Sequence, residues 1–251
     1  MSQKEWFATW FDSPYYHLLY QHRDDNEAQL FLGNLVQKLG LPSASRVLDL
    51  ACGKGRHALT LAQMGFQVVG ADLAPNSIAA ARAQAETAGI KNVAFMVHDM
   101  RQTMEIPPFA AVFNLFTSFG YFDTLAENQA VCKSMANLLL PEGLLVIDFL
   151  NATKVCANLK PAETITREGV IFEIKRWHNQ THIYKQIEVL AAQDKTQIGI
   201  FTERVQVLSK TDFESLLAPD FDIIDTFGSY GLTAYDEKSS DRLIILAKKK
   251  P

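Results

Sequence analysis

The stretch VLDLACGKGRHALTLA, at residues 47–62, decides the fold. It begins with the continuous apolar run of a strand buried on both faces, turns through Gly53 and Gly55, and continues with helical spacing. In such a strand–turn–helix unit, backbone amides approach a ligand closely at the start of the helix. The stretch therefore predicts a parallel α/β sheet with a ligand site at the carboxyl end of this strand.

The sequence on both sides of this unit alternates between strand and helix patterns. Further strands are predicted at 66–72, 93–99, 110–116, 143–150, 221–227 and 241–249, and helices at 26–39, 56–64, 124–139 and 209–217. Because the strands before residue 151 are continuously apolar, helices are expected to cover both faces of the sheet. The pattern predicts a doubly wound, Rossmann-like α/β fold with seven strands.

Three parts of the chain differ in pattern and define the expected domain organisation. Residues 1–40 are helical, residues 41–154 and 209–251 form the α/β core, and residues 155–208 are rich in strand patterns. The last segment is expected to be a small antiparallel β insert, which either forms a wall of the substrate site or mediates homodimerisation.

Composition and charge limit the partners that the protein is expected to have. The formal net charge of −4 over 251 residues argues against nucleic acid, whose phosphates require clustered Lys and Arg. Three scattered cysteines lack the spacing of a zinc site or a disulfide framework, and no metal site is expected. With no apolar run long enough for a membrane span or a signal peptide, a cytoplasmic protein is expected.

The glycine-rich turn is compatible with two kinds of nucleotide ligand. Gly53-x-Gly55-x-x-Ala58, followed by Asp72, matches the dinucleotide fingerprint and favours an NAD-dependent oxidoreductase. Asp49 argues against that ligand, because a carboxylate near the strand end repels a pyrophosphate. A ligand with positive charge and no phosphate would instead be stabilised there.

The spacing Asp49-x-Ala51-x-Gly53-x-Gly55 resembles the first motif of class I S-adenosylmethionine-dependent methyltransferases, with Ala51 in place of a glycine often found there. VVGADLAP, VAFMVHDMRQ, FNLFTSFGYF and LLLPEGLLVIDFLN extend the similarity to small bacterial methyltransferases of this class and to sugar-amine N-methyltransferases. The resemblance covers residues 44–151 most closely. It implies strand order 3-2-1-4-5-7-6 with the last strand antiparallel, and S-adenosylmethionine as cofactor, with S-adenosylhomocysteine as product.

The resemblance also implies a set of cofactor-binding residues. Asp72 and Leu73 would hold the ribose and pack on the adenine, and Asp99 and Met100 would contact the adenine from the next strand. The helical segment 1–40 would be a lid that brings one tyrosine to the site, Tyr16 being the better candidate. Arg23 is a candidate partner of the cofactor carboxylate. The full cofactor set is Asp49, Ala51, Gly53, Gly55, Asp72, Leu73, Asp99, Met100 and Tyr16.

The methyl acceptor is expected to be a small molecule that enters beside the loop after the fourth core strand. The polar residues to test there are Asn114, Thr117, Ser118 and Tyr121. The insert offers Glu173, Arg176, His178 and Tyr184, whose faces the sequence leaves open, and His57 is expected to be structural. No catalytic base is assigned. A cofactor-binding protein that has lost turnover remains an alternative at this point, beside the oxidoreductase.

Overall fold

The structure is a computed structural model that describes residues 5–21 and 25–251. The described residues form eleven strands: β1 (Arg46–Leu50), β2 (Gln67–Asp72), β3 (Val93–Val97), β4 (Phe109–Asn114), β5 (Leu139–Leu150), β6 (Ala162–Arg167), β7 (Val170–His178), β8 (His182–Ala191), β9 (Gln197–Gln206), β10 (Phe221–Phe227) and β11 (Arg242–Lys249). The helices are α1 (Trp6–Trp10), α2 (Pro14–Leu19), α3 (Asp25–Leu39), α4 (Arg56–Gln63), α5 (Pro75–Thr87), α6 (Leu125–Leu138), α7 (Ala152–Ala157) and α8 (Lys210–Leu217).

Seven of the strands form the main sheet in the order β3-β2-β1-β4-β5-β11-β10. β1, β2, β3, β4 and β5 are parallel, and β11 is antiparallel to both of its neighbours, β5 and β10. The predicted α/β class and the strand order 3-2-1-4-5-7-6 are therefore confirmed. β1 lies between β2 and β4. The chain therefore adds β2 and β3 on one side of β1 and then continues with β4 and β5 on the other side.

Helices cover both faces of the main sheet, as the apolar strands predict. On one face α3, α4 and α5 contribute Phe31, Leu61 and Ile78 to a core that includes Val47 of β1. On the other face α6 and α8 contribute residues such as Met135 and Phe213 to a core that includes Leu48. The alternation of Val47 and Leu48 between the two cores is the period-two geometry of a strand.

A second sheet, in the order β6-β7-β8-β9 and antiparallel throughout, forms the expected β insert. Its inner face packs against α1 and α2 through a third core that joins Trp10 and Leu19 to Phe172 and Ile187. One strand of this sheet, β6, and one helix that packs on it, α1, were not predicted individually from the sequence. β6 is an edge strand with little apolar character, and α1 has only 5 residues, too few to show helical periodicity.

The turn from β1 to α4 places a non-glycine residue in the left-handed region. Ala51 has φ 64°, and its amide donates to Ala71 O at 2.7 Å, which ties the turn to the end of β2. Left-handed backbone costs an L-residue with a Cβ about 1–2 kcal/mol, and glycine adopts it without that cost. This conformation gives a physical reason for a glycine at the Ala51 position of the first motif.

Replacing Ala51 by glycine is expected to stabilise the fold. Ala51→Gly should raise the free energy of unfolding by about 0.5–1 kcal/mol, because relief of left-handed strain exceeds the extra entropy of the unfolded glycine. Urea denaturation measures the change. The control is Ala83→Gly at an exposed position inside α5, which should lower the free energy by about 1 kcal/mol. A loss of stability in Ala51→Gly would contradict the strain argument.

Candidate functional site

A cavity of about 590 Å³ lies at the carboxyl ends of the central parallel strands. The turn after β1, the end of β2, the loop after β4, the helices α1 and α2, and strand β9 all contribute to its walls. A smaller pocket of about 60 Å³ lies beside it, and four residues line both spaces: Phe11, Ala51, Asp72 and Tyr121. This is the edge of the sheet at which open α/β folds bind ligands.

The glycine-rich turn contributes only part of its motif to the cavity wall. Ala51 and Gly53 line the cavity, whereas Asp49 and Gly55 are not among the lining residues. Gly55 has φ 82° and packs on Phe95, so a Cβ added at residue 55 would lie 2.7 Å from the Phe95 ring. The second glycine is thus needed for close packing and for the left-handed entry into α4.

Asp72 occupies the junction between the two spaces. Its Oδ2 accepts a hydrogen bond from Gly53 N at 2.7 Å, and its Oδ1 accepts one from Ala74 N at 2.8 Å. Burial raises the pKa of this carboxyl, although both backbone hydrogen bonds act in the opposite direction. The turn after β1 and the end of β2 are therefore joined through a carboxylate that also faces the cavity.

Asp49 lies behind the turn, with 1% of its surface exposed. Burial and, to a smaller extent, the neighbouring Asp72 raise its pKa to about 7, against the hydrogen bond from the Ala58 amide and the charge of Arg56. Within the described part of the chain, Asp49 Oδ2 has no hydrogen-bond partner. Asp49 is consequently placed to act on the cavity through its electric field, with the turn between them, and not by contact.

The smaller pocket brings together the predicted residues of the second and third strands. Leu73, Asp99 and Met100 line it with Phe7 and Phe122. Burial would raise the pKa of Asp99, but hydrogen bonds from Arg101 outweigh this and hold the pKa below its ordinary value. Arg101 Nη2 donates to Asp99 Oδ2 at 2.7 Å. The pocket thus combines apolar walls with two carboxyl groups, Asp72 and Asp99, and burial raises the pKa of the first whereas Arg101 lowers the pKa of the second.

Tyr16 also reaches the cavity, as predicted, through helix α2. Its ring packs against Phe11 and Tyr20, with centroids 5.0 Å apart in both pairs. Ser13 caps α2 by accepting from Tyr15 N, and Pro14 occupies its first position. Arg23, the candidate partner of the cofactor carboxylate, falls outside the described residues.

The loop after β4 is held in an unusual backbone conformation by a buried ion pair. Phe116 and Thr117 are consecutive non-glycine residues with φ 60° and 62°. The Asp148 carboxylate, 1% exposed, accepts from Phe116 N at 2.9 Å and from Arg242 Nε at 2.7 Å. Arg242 Nη2 donates to Thr117 Oγ1 at 2.9 Å. The pair therefore offsets the strain of a loop that borders the cavity.

Three of the four predicted acceptor residues line the cavity. Thr117, Ser118 and Tyr121 form part of its wall, and Tyr121 Oη donates to Thr117 O. Asn114 is absent from the wall and 0% exposed, and its Nδ2 donates to Leu50 O at 3.1 Å. Asn114 is thus the last residue of β4 and links β4 to β1 inside the sheet, whereas the loop that follows it lines the cavity.

The insert reaches the cavity through residues other than those singled out by sequence. Glu203 and Val205 of β9 line the cavity, and none of Glu173, Arg176, His178 and Tyr184 does. Glu173 and His178 are exposed, Arg176 donates to Glu163, and Tyr184 stacks on Trp177. Strand patterns alone do not identify which edge of a small sheet meets the core. The sequence therefore contained no signal that Glu203 would line the cavity.

Cationic side chains on the core side of the cavity were also missed. Lys54 from the turn before α4, Arg56 from the start of α4 and Arg242 from β11 line the wall, and the imidazole of His57 lies beside them. The GRHA sequence after Gly53 was the available signal, because it opens a helix whose first turn faces the ligand edge. Within residues 5–21 and 25–251, no group of three or more His, Cys, Asp and Glu side chains could hold a metal ion. No described helix is long and apolar enough to cross a membrane.

Removing the charge of Asp148 is expected to destabilise the protein strongly. Asp148→Asn leaves Arg242 without its ionic partner, and the free energy of unfolding should fall by about 3 kcal/mol. Urea denaturation at neutral pH provides the measurement. Asp225→Asn is the matched control, because Asp225 pairs with Lys38 at 2.8 Å with 36% and 45% of the side chains exposed, and should cost less than about 1 kcal/mol. Equal losses in the two variants would contradict this role.

Asp49 is expected to make the protein less stable as pH rises. Its folded pKa of about 7 lies above the unfolded value of 3.8, so the folded state holds the proton between these values and the unfolded state does not. The free energy of unfolding therefore falls as pH rises from 4 to 7. Asp49→Asn lacks this titration, so its free energy of unfolding relative to the wild type should increase by up to about 4 kcal/mol across that range. Unfolding curves at several pH values test this. Asp222 is 68% exposed, and the free energy of unfolding of the control Asp222→Asn should depend on pH in the same way as that of the wild type.

Comparison with known proteins connects this geometry to a family. A family model described as a methyltransferase domain matches residues 41–197. YqeM of Bacillus subtilis (strain 168), provisionally named a methyltransferase, is 34% identical over 125 residues, which are 49% of this chain and 49% of that protein. The matched region spans 49% of the length of YqeM and 59% of the length of a protein of Geobacillus sp. (strain WCH70), which is also provisionally named a methyltransferase.

Solved structures extend the likeness over most of the chain. An S-adenosylmethionine-dependent methyltransferase from Clostridium acetobutylicum ATCC 824 superposes with a TM-score of 0.80 at 16% identity, covering 94% of this chain and 96% of that one. S-adenosylmethionine-bound CalS10, an amino pentose methyltransferase from Micromonospora echinaspora, gives 0.70 at 20% identity, covering 95% and 98%. At these identities the likeness shows a shared fold. With the family match over residues 41–197, the sheet order and the ligand edge lead to one conclusion: the chain belongs to the methyltransferase-domain family.

Proposed function

We propose that this protein transfers a methyl group from S-adenosylmethionine to a small-molecule acceptor. The observation that carries the proposal is the position of Asp72, which lines both the cavity and the adjoining pocket, with buried Asp49 behind the same turn. Burial raises the pKa of both acids. A positively charged ligand lowers the cost of keeping two carboxylates ionised there, whereas a pyrophosphate increases it.

The residues at the strand ends fit S-adenosylmethionine by their chemistry. Asp72 would accept the ribose hydroxyls, Leu73 and Met100 would pack on the adenine, and Asp99 would accept its amino group. Asp49, buried behind the turn, would stabilise the ammonium and sulfonium charges of this cofactor through its electric field. When bound, this cofactor supplies a methyl group that is already electrophilic.

The chain's own contribution to transfer would be to orient the acceptor and to exclude water. Thr117, Ser118 and Tyr121, in the loop after β4, offer polar groups on the cavity wall. The segment 1–40 would act as a lid, and the insert over residues 155–208 would close the far side. A cavity of about 590 Å³ with walls on these sides favours a small molecule over a polymer. The name of CalS10, an amino pentose methyltransferase, supports an acceptor of that size.

Calorimetric titration with S-adenosylhomocysteine and, separately, NADH tests the cofactor assignment. S-adenosylhomocysteine should bind and NADH should not. Asp72→Asn should weaken the binding of S-adenosylhomocysteine by about 10- to 100-fold, because hydrogen bonds to a charged group are lost. Asp222→Asn, remote from the cavity, serves as the control. Saturation by NADH without a response to S-adenosylhomocysteine would overturn the proposal.

Methyl transfer itself requires a product. The protein should transfer label from methyl-labelled S-adenosylmethionine to a component of a small-metabolite pool, and mass spectrometry would identify it. Binding of the cofactor with no labelled product from any pool would instead favour a cofactor-binding protein without turnover.

A further inference from the structure

Five aromatic rings form a continuous wall on the lid side of the cavity, which we term the aromatic wall. Neighbouring ring centroids along it are separated by 5.0 to 5.5 Å. Helices α1 and α2 and their connection provide four of the rings, and the loop after β4 provides the fifth. In spatial order the rings are Tyr121, Trp6, Phe11, Tyr16 and Tyr20, and all five line the cavity.

The aromatic wall ends at a carboxylate on the insert. Glu203 of β9 lines the cavity with 16% of its side chain exposed. Its Oε1 accepts hydrogen bonds from Trp10 Nε1 and Tyr20 Oη, both at 2.7 Å. A carboxylate with two donors on one oxygen is fixed in orientation, and its other oxygen retains acceptor capacity.

Lys185 determines the direction of these hydrogen bonds. Its Nζ donates to Tyr20 Oη, so the tyrosine must use its own hydrogen for Glu203. Trp10 Nε1 is also a donor only. Both contacts therefore require Glu203 Oε1 as an acceptor. Lys185 Nζ lies 3.8 Å from Oε2, the distance of an ion pair and too long for a direct hydrogen bond, and Lys185 is not among the residues that line the cavity.

The cationic side chains that line the cavity lie on its core side. Arg242 is paired with Asp148, and the Arg56 guanidinium lies 5.3 Å from the centre of the Phe116 ring. The carboxylate on the lid and insert side is Glu203, at the end of the row of aromatic rings, and the last ring of that row, Tyr20, already has Lys185 Nζ 4.4 Å from its centre. Aromatic faces and a carboxylate together attract a cation through ring quadrupoles and direct charge.

We propose that Glu203 and the aromatic wall bind the nucleophilic nitrogen of the acceptor, which makes the acceptor an amine. The inference rests on the proposed methyl transfer. The neutral nitrogen uses its lone pair to form the new bond to the methyl carbon, the electrons of the carbon–sulfur bond pass to sulfur, and the positive charge moves to nitrogen. Glu203 Oε2 accepts an N–H hydrogen bond, and the ring faces stabilise the ammonium that develops.

A hydroxyl acceptor would make different demands on the same wall. Its oxygen loses a proton during transfer, and the methylated product is a neutral ether. The Glu203 carboxylate can accept that proton, but the row of aromatic rings gives no electrostatic advantage to a neutral product. The combination is therefore better matched to nitrogen than to oxygen.

A pair of probes with the same shape and different charge tests the inference. Choline and 3,3-dimethylbutan-1-ol differ in the exchange of a quaternary nitrogen for carbon. Each would be titrated into the protein saturated with S-adenosylhomocysteine, with tryptophan fluorescence as the readout because Trp6 lines the cavity. Choline should bind at least about fivefold more tightly than the neutral alcohol. Equal affinities, or preference for the alcohol, would overturn the amine assignment.

Glu203→Gln should remove most of that preference and leave the affinity for the alcohol unchanged, because the amide oxygen can still accept from Trp10 and Tyr20. Glu173→Gln, at an exposed position on β7, is the matched control and should behave as the wild type. Tyr16→Leu is a second variant, and it should weaken the binding of choline more than the binding of the alcohol. An unchanged preference in both site variants would overturn the role of this wall.

The same experiment separates the two proposals. S-adenosylhomocysteine binding is measured first, and its absence contradicts the proposed function. If S-adenosylhomocysteine binds and choline is not preferred over the alcohol, the proposal of an amine acceptor is contradicted and the proposal of methyl transfer is not.

Discussion

The reversal of strand progression at β1 and β4 is the constraint on which the site depends. β1 pairs in parallel with β2 on one side and with β4 on the other, so the connections from these strands leave toward opposite faces. The resulting crevice at the carboxyl ends receives Ala51, Asp72 and the loop after β4. Because the crevice follows from connectivity, its position is fixed by the same packing that stabilises the two cores.

Within that crevice, buried charges define two regions of different character. Asp49 and Asp72 lie behind and beside the turn after β1, and burial raises the pKa of both. On the other side, Asp148 and Arg242 neutralise each other and hold Phe116 and Thr117 in left-handed conformations. The first region places two carboxyl groups with raised pKa values next to the cavity. The second uses its charges to support a strained loop, which keeps the polar groups of that loop at the wall.

Helices α1 and α2 and the insert form one packed unit beside this crevice. A third hydrophobic core joins Trp10 and Leu19 to Phe172 of the insert, and Glu203 accepts hydrogen bonds from Trp10 and Tyr20. The insert therefore supports α1 and α2 from behind while one of its edges lines the cavity. Residues of this unit can change without altering the strand ends where Asp72 and Asp99 lie.

Local sequence determined the features whose signals lie within a few residues. The apolar runs defined the parallel strands, Ser209 with Asp212 capped α8 as a capping box, and the motif acids Asp72 and Asp99 fell at strand ends. Family resemblance then supplied the strand order. Tertiary structure alone decided that Asn114 faces the sheet interior, that Gly55 serves the packing of Phe95, and that Glu203 meets the cavity. Side-chain alternation assigns a residue to one of two faces, but only the packing of the lid and insert on the core fixes which face meets the ligand.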